Sequence, residues 1–98
     1  MSLRYEAEAE IWAYDGPGAW HFITLPRDIA EGIRTVGGRR APFGSLRVTA
    51  AIGEVRWKTS LFADRKRGSF LLPVKADVRR RAQVSAGQTT AFSIEIET

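Results

Sequence analysis

The twelve residues from Leu3 to Tyr14, LRYEAEAEIWAY, alternate strictly between two kinds of side chain. Leu3, Tyr5, Ala7, Ala9 and Ile11 share one parity, and Arg4, Glu6, Glu8 and Glu10 share the other. A period of two over this length reads as a half-buried β-strand, because successive Cβ atoms point to opposite faces of a sheet. The next four residues, Asp15-Gly-Pro-Gly18, read as a turn. Glycine supplies positive φ there and proline fixes its own φ. AWHFITL at 19–25 is the returning strand.

Pro26 opens a helix, since its missing N–H costs nothing in a first turn, and Asp28 and Glu31 complement the helix dipole there. Ile29, Ile33 and Val36 form one apolar stripe, and Gly37-Gly38 ends the helix before a loop at 39–44. Residues 45–53 and 54–62 read as two strands around a tight Gly53-Glu54 turn. Leu46, Val48, Ala50 and Ile52 face one way in the first, as do Val55, Trp57, Thr59 and Leu61 in the second. A charged turn at 63–68 leads to a strand at 69–74, in which Pro73 must sit at an edge, an end or a bulge. Ala76–Gln83 is a short helix with Val78 and Ala82 inward and the arginines outward. After the turn SAGQ, residues 89–97 form a last strand with Phe92, Ile94 and Ile96 inward.

The order is close to ββα–ββ–βαβ. At an offset of 49 residues ITLPRDIAEGI lies over LPVKADVRRRA, Asp28 over Asp77, Ile29 over Val78 and Gly38 over Gly87, with Asp15 over Asp64. The matching order of elements points to two similar halves closing one small barrel.

The unit LPVKADVRRRAQVSAGQ…AFSIEIE resembles the swapped-hairpin barrels of the AbrB/MazE transition-state-regulator type. AWHFITLP, VRWKTSLF, GSFLLPVKADVRR and the final FSIEIE are similar to the bacterial domain of unknown function 1905, over nearly the whole chain. The shared hallmarks are Leu25-Pro26, the Trp57–Leu61 strand and the Leu72–Arg79 segment. That resemblance implies a double-split β-barrel and no established activity. The late turn departs from the family pattern, with Gly87-Gln88-Thr89 where Gly-Asp is usual. The expected fold is mostly β: a small closed double-split β-barrel of about six strands, with two short helices and pseudo-duplicated halves, in one domain over residues 1–98.

Charge and composition narrow the partners. The net charge is +4, and it is uneven: residues 1–49 hold six basic and six acidic side chains, residues 50–98 nine and five. A basic half favours acidic or phosphate-bearing partners. There is no cysteine, so packing alone holds the fold and no oxidising compartment is needed. Three glutamates in the first fifteen residues replace the apolar core a signal peptide requires, and the apolar runs fall far short of the ~20 residues that cross a bilayer. The expectation is a cytoplasmic protein without a membrane partner.

Catalytic chemistry finds little support. His21 is the single histidine, and one histidine without cysteine cannot furnish a usual zinc set. Glu6 and Glu8 stand roughly 7 Å apart on one strand face, a separation glycosidases also use. A solvated face with cross-strand partners Arg47, Arg56 or Lys58 explains them better. No catalytic residue, metal ligand or cofactor is assigned.

Binding is the stronger expectation. Trp12, Trp20 and Trp57, together with Phe70, are residues from which a small barrel can build a pocket or a mouth, with Lys75 and Arg79 beside it. Trp57 is expected in the core, and Trp12 and Trp20 either fill the barrel or line its mouth. The ligand is an unspecified small molecule or protein. The alternative is weak, sequence-independent nucleic-acid binding through Arg56, Lys58, Arg65, Lys66, Arg67, Arg80 and Arg81. Strand alternation separates Arg56 and Lys58 from the Trp57 ring, which weakens a stacking platform there. Of the arginine triplet, Arg79 is expected to turn back onto an acid or a carbonyl, because helix neighbours diverge by about 100°. A chain that builds both halves itself has no need of a two-fold partner, so a monomer is expected rather than an obligate dimer.

Overall fold

The structure, a computed structural model, describes residues 2–37 and 45–97. In chain order the elements are β1 (Ser2–Ala13), β2 (His21–Thr24), α1 (Arg27–Gly37), β3 (Ser45–Ile52), β4 (Val55–Asp64), β5 (Ser69–Pro73), α2 (Ala76–Ala82) and β6 (Thr89–Glu97). The six strands close a barrel in the order β1-β2-β5-β4-β3-β6, and the pairings are antiparallel. The loop expected at 39–44 and the side chain of Val36 lie outside the described residues.

Alternation in β1 places Tyr5, Ala7, Ala9 and Ile11 against the core and leaves Glu6, Glu8 and Glu10 exposed. The expected partners of these glutamates are wrong. β1 lies between β2 and β6 rather than beside β3 or β4, so Glu6, Glu8 and Glu10 face Ser93, Ala91 and Thr89. Glu6 instead meets Arg4 of its own strand at 3.6 Å, and Arg56 reaches Glu95 at 3.9 Å.

The centre of the barrel is filled by Ile11, Ile23, Leu61, Leu72 and Ile94, each with no exposed surface. Five different strands contribute them, and burying each such side chain is worth about 1.5–3 kcal/mol. The helices cover opposite ends, because each leaves the C-terminus of β2 or β5 and those two strands are antiparallel. α1 buries Ile29, Ala30 and Ile33, and α2 buries Val78.

The two halves are related by an internal two-fold. Mapping β1-β2-α1-β3 onto β4-β5-α2-β6 reproduces every strand pairing. The axis passes through the pair Ile23↔Leu72, whose members are 49 residues apart and flanked by Phe22↔Pro73 and Thr24↔Leu71. One residue more in the β1–β2 turn than in the β4–β5 turn shifts the β1/β4 equivalence to 50. Ile11 therefore corresponds to Leu61 and Trp12 to Phe62, and Asp15 falls over Arg65 rather than Asp64.

β4 runs two residues further than the sequence pattern indicates. Ala63 and Asp64 still pair with Phe70 and Ser69, so the charged turn shrinks to 65–68, closed by Gly68 at φ 64°. Sheet pairing overrides the polar character of Asp64 because Arg67 follows to hold its carboxylate.

Candidate functional site: an aromatic outer face and an adjoining cleft

On β1 the parity of Glu10 continues through Trp12 and Tyr14, so these two aromatic rings point outward. Across β2, Ile23 points in and Phe22 points out, while Phe62 on β4 and Leu71 on β5 are paired on the same outer face. The result is an aromatic cluster outside the barrel. Trp12 and Phe22 have ring centroids 5.3 Å apart, and Tyr14 meets Phe22 edge-on at 6.4 Å. Trp20 lies parallel to Phe22 at 6.0 Å, with 3° between the planes. Tyr14, Trp20 and Phe62 remain 48%, 51% and 45% exposed. Tyr14, Trp20, Phe22, Phe62 and Leu71 line one shallow apolar hollow of about 310 Å³.

The turn glycines hold two of these rings. A Cβ on Gly16 would lie 2.5 Å from the Tyr14 ring, and one on Gly18 would lie 2.7 Å from Trp20 Nε1. Gly18 also has φ +95°, which only glycine adopts freely. The DGPG turn thus lets both aromatic rings fold back against the backbone.

The far side of the cluster is fixed by charge. Trp12 donates its Nε1–H to Thr24 Oγ1 at 2.9 Å, and the Arg67 guanidinium lies 4.6 Å from the Trp12 ring centroid. Arg67 is itself held by Asp64 at 2.6 Å. Burial raises the Asp64 pKa, but the side-chain and backbone hydrogen bonds from Arg67, with its charge, outweigh that and hold the carboxyl below its ordinary value.

Beside the face, where the β1–β2 turn meets α2, a cleft of about 170 Å³ opens. Trp20 and His21 line one side, and Pro73, Val74, Lys75 and Arg79 the other. Arg79 is half-buried and donates an Nη1–H to Val74 O at 2.7 Å, which meets the expectation that it turns back onto a carbonyl. His21 Nδ1 lies 3.1 Å from Ala19 O.

The ligand candidates therefore divide. Trp20, Lys75 and Arg79 come together in the cleft. Trp12 sits on the outer face, neither filling the barrel nor lining its mouth. Trp57 is in the core at 8% exposure, as expected, and its Nε1 has no hydrogen-bond partner among the described residues.

Four of the basic candidates are ion-paired. Arg56 pairs with Glu95 on the outside of β4, Arg67 is clamped to Asp64 and Trp12, and Arg80 and Arg81 both engage Asp77, Arg81 at 3.6 Å. Lys58 is exposed on β4, and Arg65 and Lys66 are exposed on the β4–β5 turn. Lys66 and Arg67 border the aromatic face next to Trp12, Tyr14 and Asp15.

Sequence reasoning passed over Tyr14, Phe22, Phe62 and His21 as site residues. The parity signal was present: Trp12 and Tyr14 continue the glutamate face, and Phe62 continues the face of Arg56 and Lys58. What pattern could not give is that β1, β2, β5 and β4 are adjacent, which alone joins these rings.

Comparison with known proteins gives one family. The model of the domain of unknown function DUF1905 matches residues 8–94, so the chain belongs to that family. No curated protein matches the chain. No helix among the described residues is long and apolar enough to cross a membrane, and no group of three or more His, Cys, Asp or Glu side chains among them is placed to hold a metal ion.

Proposed function

We propose that this DUF1905 domain is a non-enzymatic interaction module that docks a protein partner on its outer aromatic face. The observation that carries this reading is the exposure of Tyr14, Trp20 and Phe62 in one cluster around Phe22. The fold does not require aromatic residues at two of these positions. Across the internal two-fold, Tyr14 corresponds to Asp64 and Trp20 to Ser69, so the second half forms the same strands with polar residues. Exposed tryptophan and tyrosine with an adjacent arginine are the residue types that concentrate binding energy in interfaces. A contiguous exposed apolar patch marks a contact surface. The rim carries Asp15 and Lys66, of opposite sign, which suits a peptide segment with an apolar centre and mixed charge at its ends.

The cysteine-free composition favours the cytoplasm as its compartment. His21 turned to the Ala19 carbonyl and the exposed glutamate ladder of β1 favour binding over catalysis.

The test is selection from a displayed peptide library on the immobilised 98-residue chain. Peptides with paired aromatic or aliphatic anchors are expected. They should lose at least tenfold in affinity against Tyr14→Ser/Phe62→Ser, which keeps the wild-type Tm. Peptides that bind this variant equally well would refute the reading. Oligonucleotide binding at ~50 mM salt that collapses by ~200 mM would instead favour nucleic acid.

A further inference from the structure

We infer that the cleft between the β1–β2 turn and α2 binds a small oxyanion, a carboxylate or phosphate carrying a compact apolar body. Two cationic side chains reach it, Lys75 between β5 and α2 and Arg79 on α2, beside the Trp20 indole and His21 at the start of β2. No carboxylate among the described residues lines it. The nearest acid along α2, Asp77, is occupied by Arg80 and Arg81. The arginine triplet thus divides its work, two members holding the helix acid away while the third enters the cleft.

Arg79 is set for this role. Its bond to Val74 O uses one of five guanidinium N–H donors and fixes the side chain half-buried. The remaining donors keep the planar fork that matches a carboxylate or phosphate. An arginine already held in place loses less freedom when an anion arrives. Trp20 and Pro73 supply an apolar wall on either side. A volume of about 170 Å³ holds about six water-sized groups, which limits the ligand to a headgroup with a few further atoms.

The internal two-fold shows that the fold does not need this arrangement. The equivalents of Trp20, His21, Lys75 and Arg79 are Ser69, Phe70, Pro26 and Ala30. Ser69 is 7% exposed, Phe70 8% and Ala30 fully buried, so the other end of the barrel is closed at the same place. Ser69 there donates its hydroxyl to Leu25 O at 2.7 Å, completing the closure. One barrel end is sealed with apolar and self-satisfied groups, and the other is opened and lined with cationic ones.

The experiment is a two-dimensional NMR titration of the full chain with acetate, benzoate, inorganic phosphate and phenyl phosphate. Ionic strength is held constant with chloride. Saturable shifts confined to the Trp20 indole, His21 and the backbone of Lys75 to Arg79 are expected. Lys75→Met removes only an exposed ammonium and should weaken binding about tenfold. Arg79→Gln should weaken it further. Whether carboxylates or phosphates bind more tightly identifies the natural headgroup. Shifts that grow linearly with every anion as with chloride, or affinities unchanged in Lys75→Met, overturn the inference. The Tyr14→Ser/Phe62→Ser variant should keep anion binding, so failure here and failure of the docking face remain separate results.

Discussion

Ile23 lies directly across from Leu72 at the crossing of the internal two-fold, and neither side chain has any exposed surface. The two residues come from corresponding strands and are paired with corresponding neighbours. Truncating either to alanine leaves a cavity at the barrel centre. Each should cost about 2–5 kcal/mol, and the two costs should agree within about 1 kcal/mol. Urea denaturation of Ile23→Ala and Leu72→Ala measures this. A cost below about 1 kcal/mol for one of them would show that its half is not packed as the symmetry requires.

Trp57 tests a different balance. Its ring fills core volume, yet its Nε1–H is buried without a partner among the described residues. Phenylalanine removes that donor and part of the volume, and these effects oppose each other. Trp57→Phe should change stability by less than about 1.5 kcal/mol, whereas Trp57→Ala should cost about 3–5 kcal/mol. Thermal or urea unfolding of both variants checks the ordering.

The Asp64–Arg67–Trp12 clamp carries a pH signature. Arg67 lowers the Asp64 pKa in the folded protein below its value in the unfolded chain. A lowered folded pKa contributes stability that is complete above the unfolded carboxylate value, near ~3.9. That stability is lost as pH falls through the folded pKa. Wild type should therefore exceed Asp64→Asn in stability by a constant margin above about pH 5, and the margin should shrink below about pH 4. A margin independent of pH down to pH 2 would assign the clamp no electrostatic part.

Gly18 links the turn to the site. Alanine there must adopt φ near +95° and place its Cβ 2.7 Å from the Trp20 indole. Gly18→Ala should destabilise by about 1–2 kcal/mol. It should also displace Trp20 from its parallel position over Phe22. A changed Trp emission spectrum with unchanged far-UV circular dichroism is the expected readout. An unaltered spectrum would mean that the ring position does not depend on the turn.

Much of the barrel was legible from local pattern. Period two in Leu3–Tyr14 and in the segments ending at Ile52, Leu61 and Ile96 fixed which side chains point inward, because each strand has one packed face. The offset of 49 between Pro26 and Lys75 gave the duplication, though the extra turn residue moved Asp15 away from Asp64. β4 ends two residues beyond what the pattern indicates because Asp64 looks like turn chemistry, whereas in the structure it pairs with Ser69 and its carboxylate is held by Arg67.

By itself, then, the amino-acid sequence determined the strands, their inward faces, the helix positions and the inward turn of Arg79, since each depends on neighbours a few residues away. Tertiary structure decided which strands touch. That adjacency gathers Trp12 and Tyr14 with Phe22 and Phe62 outside the barrel, separates Glu8 from Lys58, and brings Trp20 and His21 to Lys75 and Arg79 across more than fifty residues of chain. No local period encodes such contacts, because they arise from closing the sheet on itself.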